Sequence, residues 1–218
     1  MKNKFNIYMG FDTSDALVPI VPDHMLIVGP KSSGKTTLCQ NIYTLTKYLN
    51  SHRTCEMDLM DCCEVSEDTL VERLHDISNA VKERLDLLDN NKLYSLRVVK
   101  EQNPSFTELD ECLFILDEYK GYINSNTELY DLIKYVLENG SKAGVYLVMT
   151  QSTFTAIPEE LMDKFRYTVY MEPESKLIKS ITGAEEFNYK ILSHPVVYKD
   201  KSCFIQLHKI LDIPIFNK

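Results

Sequence analysis

An α/β fold, a mostly parallel sheet with helices on both faces, is predicted by three observations. Short continuous apolar runs at 25–28, 112–116 and 145–149 have the length and composition of strands buried on both sides. Longer segments between them repeat their apolar residues at helical spacing. A glycine-bounded polar loop at 29–37 joins the first apolar run to the first helical segment. Strands alternating with helices pair in parallel through crossover connections, which places helices on both sheet faces. The 218 residues, 44% of them apolar, suit one such core, and residues 1–218 read as a single domain with 1–24 as lead-in strands.

Taken in order, Phe5-Asn6-Ile7-Tyr8-Met9-Gly10 and Leu17-Val18-Pro19-Ile20 are short strand candidates, and Met25-Leu26-Ile27-Val28 is the first core strand. The spacing of Leu38, Ile42, Leu45 and Leu49 carries the next helix to about Leu49, and a strand is expected near 55–60. Ser66 suits a helix N-cap. The stripe of Leu70, Leu74, Ile77, Val81, Leu85 and Leu88 then predicts a long amphipathic helix ended by Asn90-Asn91. That stripe has heptad character, but its short length favours packing on the chain's own sheet over a coiled coil. After strand 112–116, a helix is predicted over 128–138 from Leu129, Leu132, Ile133, Val136 and Leu137, with Asn139-Gly140 as its stop. Beyond strand 145–149, Pro158 fits the first turn of a short helix reaching about Lys164. Residues 167–171 read as a further buried strand, and 201–210 as an edge strand.

The loop Gly29-Pro30-Lys31-Ser32-Ser33-Gly34-Lys35-Thr36-Thr37 matches the phosphate-binding pattern G-x4-G-K-[ST] without a mismatch, in the strand–loop–helix setting that pattern requires. Gly29 and Gly34 allow the tight turn that converges backbone N–H groups on phosphate oxygens, and the start of the next helix adds partial positive charge. Lys35 is expected to reach the β- and γ-phosphates of ATP, and the Thr36 hydroxyl to hold Mg2+. The apolar strand Leu113-Phe114-Ile115-Leu116 ends in Asp117-Glu118. At the carboxyl end of a buried strand, Asp117 would support Mg2+ and Glu118 would act as general base on water. A third apolar strand ends in Thr150-Gln151, which places Gln151 to sense the γ-phosphate or orient water.

Charge narrows the partners. With 24 basic and 32 acidic residues the chain carries −8, whereas a surface that grips nucleic acid clusters Lys and Arg. No apolar run approaches the ~18–20 residues that cross a bilayer, and nothing behind Met1-Lys2-Asn3-Lys4 resembles a signal peptide. The six cysteines form no C-x-x-C pair and the five histidines no metal-ligand spacing, which leaves reduced thiols and structural or exposed histidines as the expectation.

In this order the three elements resemble the FtsK/SpoIIIE family of P-loop motor ATPases, over most of the chain from about Phe5 to Gln206. The third element here reads Gly144-Val145-Tyr146-Leu147-Val148-Met149-Thr150-Gln151, similar to the family's Gly-[Ile/Val]-His-Leu…Thr-Gln, and Thr182-Gly183-Ala184-Glu185 looks like its Ser-Gly-Ala-Glu. Ile7-Tyr8-Met9-Gly10-Phe11-Asp12 is similar to the opening of ATPase modules in type VII secretion motors (EssC/EccC-type), the last module most of all. The resemblance implies a RecA/FtsK-like P-loop NTPase fold, with ATP and Mg2+ as cofactors. It implies secreted protein substrates and neighbouring ATPase modules as partners, in a hexamer when assembled and a monomer alone. It also implies a cytoplasmic module cut from a membrane-anchored parent, with Met1 an added start.

Departures accompany it. Ser141, Tyr146 and Ser152-Thr153 stand where the family has Arg, His and Arg-Pro, and Leu192-Ser193-His194-Pro195-Val196-Val197 replaces its Gly-Arg-Gly-x-Met-Leu. No arginine finger emerges from Arg53, Arg73, Arg84, Arg97 or Arg166. The lost positive charge predicts slow hydrolysis, or none by the module alone. Two alternatives stand beside this reading: an FtsK-like DNA translocase or conjugative coupling ATPase, and a nucleotide-gated interaction module without turnover.

Overall fold

The computed structural model describes residues 5–12, 15–51, 55–103, 106, 109–119, 126–153, 157–171, 196–199 and 207–209. In chain order the elements are β1 (Ile7–Asp12), β2 (Leu17–Ile20), β3 (Met25–Val28), α1 (Lys35–Leu49), β4 (Cys55–Asp61), α2 (Glu67–Asn90) and α3 (Leu96–Gln102). They continue with β5 (Glu111–Asp117), α4 (Thr127–Ala143), β6 (Val145–Gln151), α5 (Glu159–Met162), β7 (Tyr167–Met171), β8 (Val196–Lys199) and β9 (Leu207–Lys209).

The main sheet has the order β4-β5-β6-β3-β7-β8. Its first five strands run parallel and β8 closes one edge antiparallel. Alternate residues of each central strand feed opposite cores, the period-2 rule applied to a sheet covered twice. On one face Leu26, Val28, Phe114, Leu116, Leu147 and Met149 pack with Leu70, Leu74, Ile77 and Val81 of α2 and Leu129, Ile133 and Val136 of α4. On the other, Met25, Ile27, Leu113, Ile115, Tyr146 and Val148 pack with Leu38 and Ile42 of α1. Ile7, Met9, Val18 and Ile20 join that second core from a small antiparallel sheet ordered β2-β1-β9. The expected α/β architecture is therefore present, and the apolar stripe of α2 lies on the chain's own sheet. Ser66 caps α2 through its hydroxyl, which accepts from the Thr69 amide at 3.1 Å.

Four local expectations change. Helix α4 does not stop at Asn139-Gly140; it continues to Ala143 and ends at Gly144, whose φ of 74° suits a left-handed cap. Gly140 serves close packing instead, since a Cβ there would sit 2.6 Å from the Val145 carbonyl oxygen and 3.0 Å from the His24 ring. Helix α3 was not anticipated, being only seven residues long, although Ser95 caps it by accepting from the Val98 amide at 3.4 Å. Pro158 is the N-cap of α5 rather than within it, and regular helix ends at Met162. Strand β8 was likewise not foreseen. Of the expected edge strand over 201–210, the described part is β9, which pairs with β1. The stretch holding Thr182-Gly183-Ala184-Glu185, Arg53, and two of the five histidines, His52 and His194, lie outside the described residues.

Candidate functional site

The carboxyl ends of β3, β5 and β6 lie side by side, because Val28 pairs with Gln151 and Leu116 with Met149. Everything that follows those strands therefore meets at one edge of the sheet, where parallel α/β folds collect their ligands. From β3 the chain enters the glycine loop. Gly29 is held at its amide by the Gln151 carbonyl at 3.1 Å, and a Cβ on it would fall 2.4 Å from Met171 Cβ and 2.7 Å from Ser33 Oγ. Only a glycine lets β7 and Ser33 approach the loop this closely. Gly34 has φ 90° and starts α1 with no side-chain cap, so the first-turn N–H groups have no intrahelical partner and the positive end of the helix faces outward.

A cleft of 590 Å³ opens there, lined by Lys31, Ser32, Gly34, Lys35, Thr36 and Thr37 on one side and Asp61, Cys63, Asp117 and Glu118 on the other. Six of the nine loop residues singled out in the sequence thus line it. Pro30 and Gly29 contribute from behind: their carbonyl oxygens accept from Lys35 Nζ at 3.0 and 2.9 Å. Ser33 is buried, with its hydroxyl turned into the loop's own packing.

Opposite the loop, Asp117 is 2% exposed and its Oδ1 accepts from the Thr150 hydroxyl at 2.7 Å. Thr150 Oγ1 also accepts from the Glu118 amide at 2.7 Å. Glu118 has φ 52°, a left-handed conformation that costs a side-chain-bearing residue on the order of 1 kcal/mol or more. Its Oε2 lies 3.3 Å from Lys35 Nζ and its Oε1 accepts from the Ser152 hydroxyl. Asp117 and Glu118 therefore line one cleft with Lys35 and Thr36. Gln151 does not line the cleft: it is buried, and its amide donates to the Tyr119 carbonyl. Beneath the loop, Cys39 is fully buried, and burial together with the charge of Asp117 pushes its thiol well up.

The donor set suits a small hard cation. A threonine hydroxyl and a buried carboxylate are oxygen ligands, and among the described residues no group of three or more His, Cys, Asp or Glu is gathered to hold a metal unaided. Mg2+ binds in this manner, taking a few protein oxygens and completing its shell with water and phosphate. Two cleft residues were missed. Asp61 ends β4 in register with Asp117, the same strand-end signal that marked Asp117. Cys63 follows in the turn, donating its amide to Asp61 Oδ1 at 2.8 Å. Among the described residues no arginine lines the cleft. Arg73 pairs with Asp58 at 2.8 Å, Arg97 with Glu101 at 3.2 Å and Arg166 with Asp23 at 3.4 Å, while Arg84 donates to the Asp110 carbonyl at 2.5 Å.

No protein-family model and no curated protein matches the chain by sequence. Solved structures do match in fold. ATPases 2 and 3 of EssC from Geobacillus thermodenitrificans superpose with a TM-score of 0.68 at 11% identity, over 95% of this chain and 45% of that one. ATPases 2 and 3 of EccC from Thermomonospora curvata, in complex with a signal sequence peptide, give 0.71 at 11% identity, over 94% and 42%. The pCW3 conjugation coupling protein TcpA with ATPγS gives 0.68 at 12% identity, over 95% and 66%. The chain thus spans less than two thirds of each of these structures. Its fold is that of the ATPase modules in these structures.

Proposed function

We propose that the chain is one ATP-binding module of a type VII protein secretion motor, turning ATP over slowly. The observation that carries this is the cleft itself: a glycine loop and the uncapped start of α1 facing a carboxylate pair at the end of β5. Lys31, Ser32, Gly34, Lys35 and Thr37 would take the phosphates, through backbone N–H groups and the Lys35 ammonium. Thr36 and Asp117 would hold Mg2+, which when bound offsets the charge of the β- and γ-phosphates. Glu118 is the assigned general base. Water would bond to the γ-phosphorus as the bridging oxygen leaves with ADP, and Glu118 would take the water's proton. Gln151 is assigned a supporting part, fixing the turn after Glu118 through Tyr119. Slow turnover follows from one feature: no described arginine reaches the cleft to stabilise transferred charge.

The similarity to EssC and EccC ATPase pairs, the latter in complex with a signal sequence peptide, supports secreted proteins as cargo and neighbouring modules as partners; a hexameric assembly and a membrane-anchored parent belong to this reading through the sequence resemblance alone. Among the described residues no helix is long and apolar enough to cross a membrane. The similarity to TcpA supports a coupling ATPase as the second reading, against which stands the net charge of −8. The deciding experiment is calorimetric titration with Mg-ATP of the wild type and Lys35→Ala. Binding that the substitution abolishes supports the nucleotide site; no binding by either would sink it. Titration with secreted proteins and with duplex DNA at moderate salt separates the two cargoes.

A further inference from the structure

The last residues of β6 and the one beyond grip the acidic turn after β5 at each position. Thr150 engages Asp117 and the Glu118 amide through its hydroxyl, and the Tyr119 amide through its carbonyl at 3.2 Å. Gln151 holds the Tyr119 carbonyl, and Ser152 holds the Glu118 carboxylate. The left-handed conformation of Glu118 is therefore imposed by neighbours. Lys35, for its part, has three N–H groups and, among the described residues, three protein acceptors: the Gly29 and Pro30 carbonyls and Glu118 Oε2, at 2.9, 3.0 and 3.3 Å. A phosphate entering the loop competes for this ammonium and repels Glu118, so the Lys35–Glu118 contact is the one that must yield. The Glu118 side chain is 31% exposed, and solvent is open to it once released.

We propose that Ser152 is a positioning residue for Glu118. It keeps the carboxylate by Oε1 when Lys35 turns from Oε2 to phosphate, so that Glu118 stays directed at the phosphate end of the cleft. This rests on the nucleotide-binding reading above and adds to it a residue that neither the glycine loop nor the Asp-Glu pair contains. It also gives this chain a neutral hydroxyl, one residue past Gln151, as the partner its general base keeps.

The test uses the full chain with glutamate labelled by 13C at Cδ, the Glu118 resonance being identified by its loss in Glu118→Gln. With Mg-ATPγS bound, wild type and Ser152→Thr are expected to keep this resonance apart from those of solvent-exposed glutamates. In Ser152→Ala it should collapse onto them. Turnover of Mg-ATP should follow, with kcat down about 10-fold in Ser152→Ala, a part of what a general base contributes, KM within about twofold, and most of the loss recovered by Ser152→Thr. A resonance unmoved by Ser152→Ala in the nucleotide-bound chain, or a threonine variant no better than alanine, overturns the proposal. Calorimetry separates the two ideas: a wild type that binds no nucleotide sinks both, whereas binding with an unmoved resonance sinks this one alone.

Discussion

His24 gives the fold a specific acid sensitivity. The residue precedes β3 and is 1% exposed. Its Nδ1 accepts from the Leu147 amide at 3.0 Å, which fixes the neutral tautomer with hydrogen on Nε2, a nitrogen without a hydrogen-bond partner. Protonation would put a second hydrogen against the Leu147 N–H and bury a cation. Burial accordingly lowers the imidazole from 6.5 to about 4, with Asp23 alongside opposing the shift. Because the folded value lies below the unfolded one, the unfolded chain binds more protons between them. The stability is complete above about pH 6.5 and drains away as pH falls toward 4. The full span is worth about 3 kcal/mol, and about 2 kcal/mol is already lost by pH 5. Asparagine at this position keeps an acceptor near Nδ1 and cannot titrate. Urea unfolding of wild type and His24→Asn at steps from about pH 7.5 to 5 should show the wild type losing about 2 kcal/mol more than the variant across that range. The comparison is one of slopes, so whatever His24→Asn costs by its smaller volume cancels. Parallel slopes would refute the reasoning, because they would mean that His24 takes its proton without penalty in the folded chain.

Three further outcomes are expected. Thr150→Val keeps the shape but removes both the charge-assisted bond to Asp117 and the acceptor of the Glu118 amide; urea unfolding should show a loss of about 2–4 kcal/mol, and a loss under 0.5 kcal/mol would contradict the assigned geometry. Gly140→Ala should destabilise by about 1–3 kcal/mol despite alanine's better helix propensity, since its Cβ meets a backbone oxygen at 2.6 Å; a rise in Tm would show that β6 yields freely. Cys63 is exposed at the cleft, whereas Cys39, Cys62 and Cys112 are buried, with burial raising Cys62 to about 12 and Cys112 to about 11. Peptide mapping after brief alkylation should find Cys63 labelled ahead of those three, and slowed severalfold by Mg-ATPγS; equal labelling with and without nucleotide would place the ligand elsewhere.

The elements that a short sequence window could reveal are the ones whose burial repeats. Strands β3 and β7 and helix α2 fall where apolar period and capping put them, since Ser66 and the stripe from Leu70 to Leu88 are local signals. The loop was legible for a different reason: its chemistry demands particular residues at fixed spacing, so Lys35 and Thr36 announce themselves. Gly140 misled because a glycine after asparagine has two physical uses, ending a helix or admitting a neighbour, and the neighbour here is His24, 116 positions away in sequence and brought close by the sheet. Helix α3 is too short to build a period, and β8, equal in length to the wholly apolar β3, has only Val196-Val197 as an apolar run.

What sequence conveys least well is which side chain holds which. Asp117 and Glu118 look like one acidic pair, yet the structure gives them different surroundings. Asp117 is buried on Thr150, whereas Glu118 is turned out by its φ of 52° to stand between Lys35 and Ser152. Thr150, Gln151 and Ser152 read as the end of one apolar strand, but each reaches back to a different atom of the turn after β5, at separations of 32 to 34 residues. Parallel pairing makes this possible. Adjacent strands that end at the same level present their last side chains to one another, so a motif on β5 takes its geometry from the residues that close β6. A substitution at Ser152 should therefore act on Glu118 without touching the phosphate loop, and Lys35→Ala should abolish binding while leaving the Thr150–Asp117 contact in place. If the two substitutions instead produced the same defect, loop and acidic turn would be one rigid unit, and Lys35 would have no freedom to change partners.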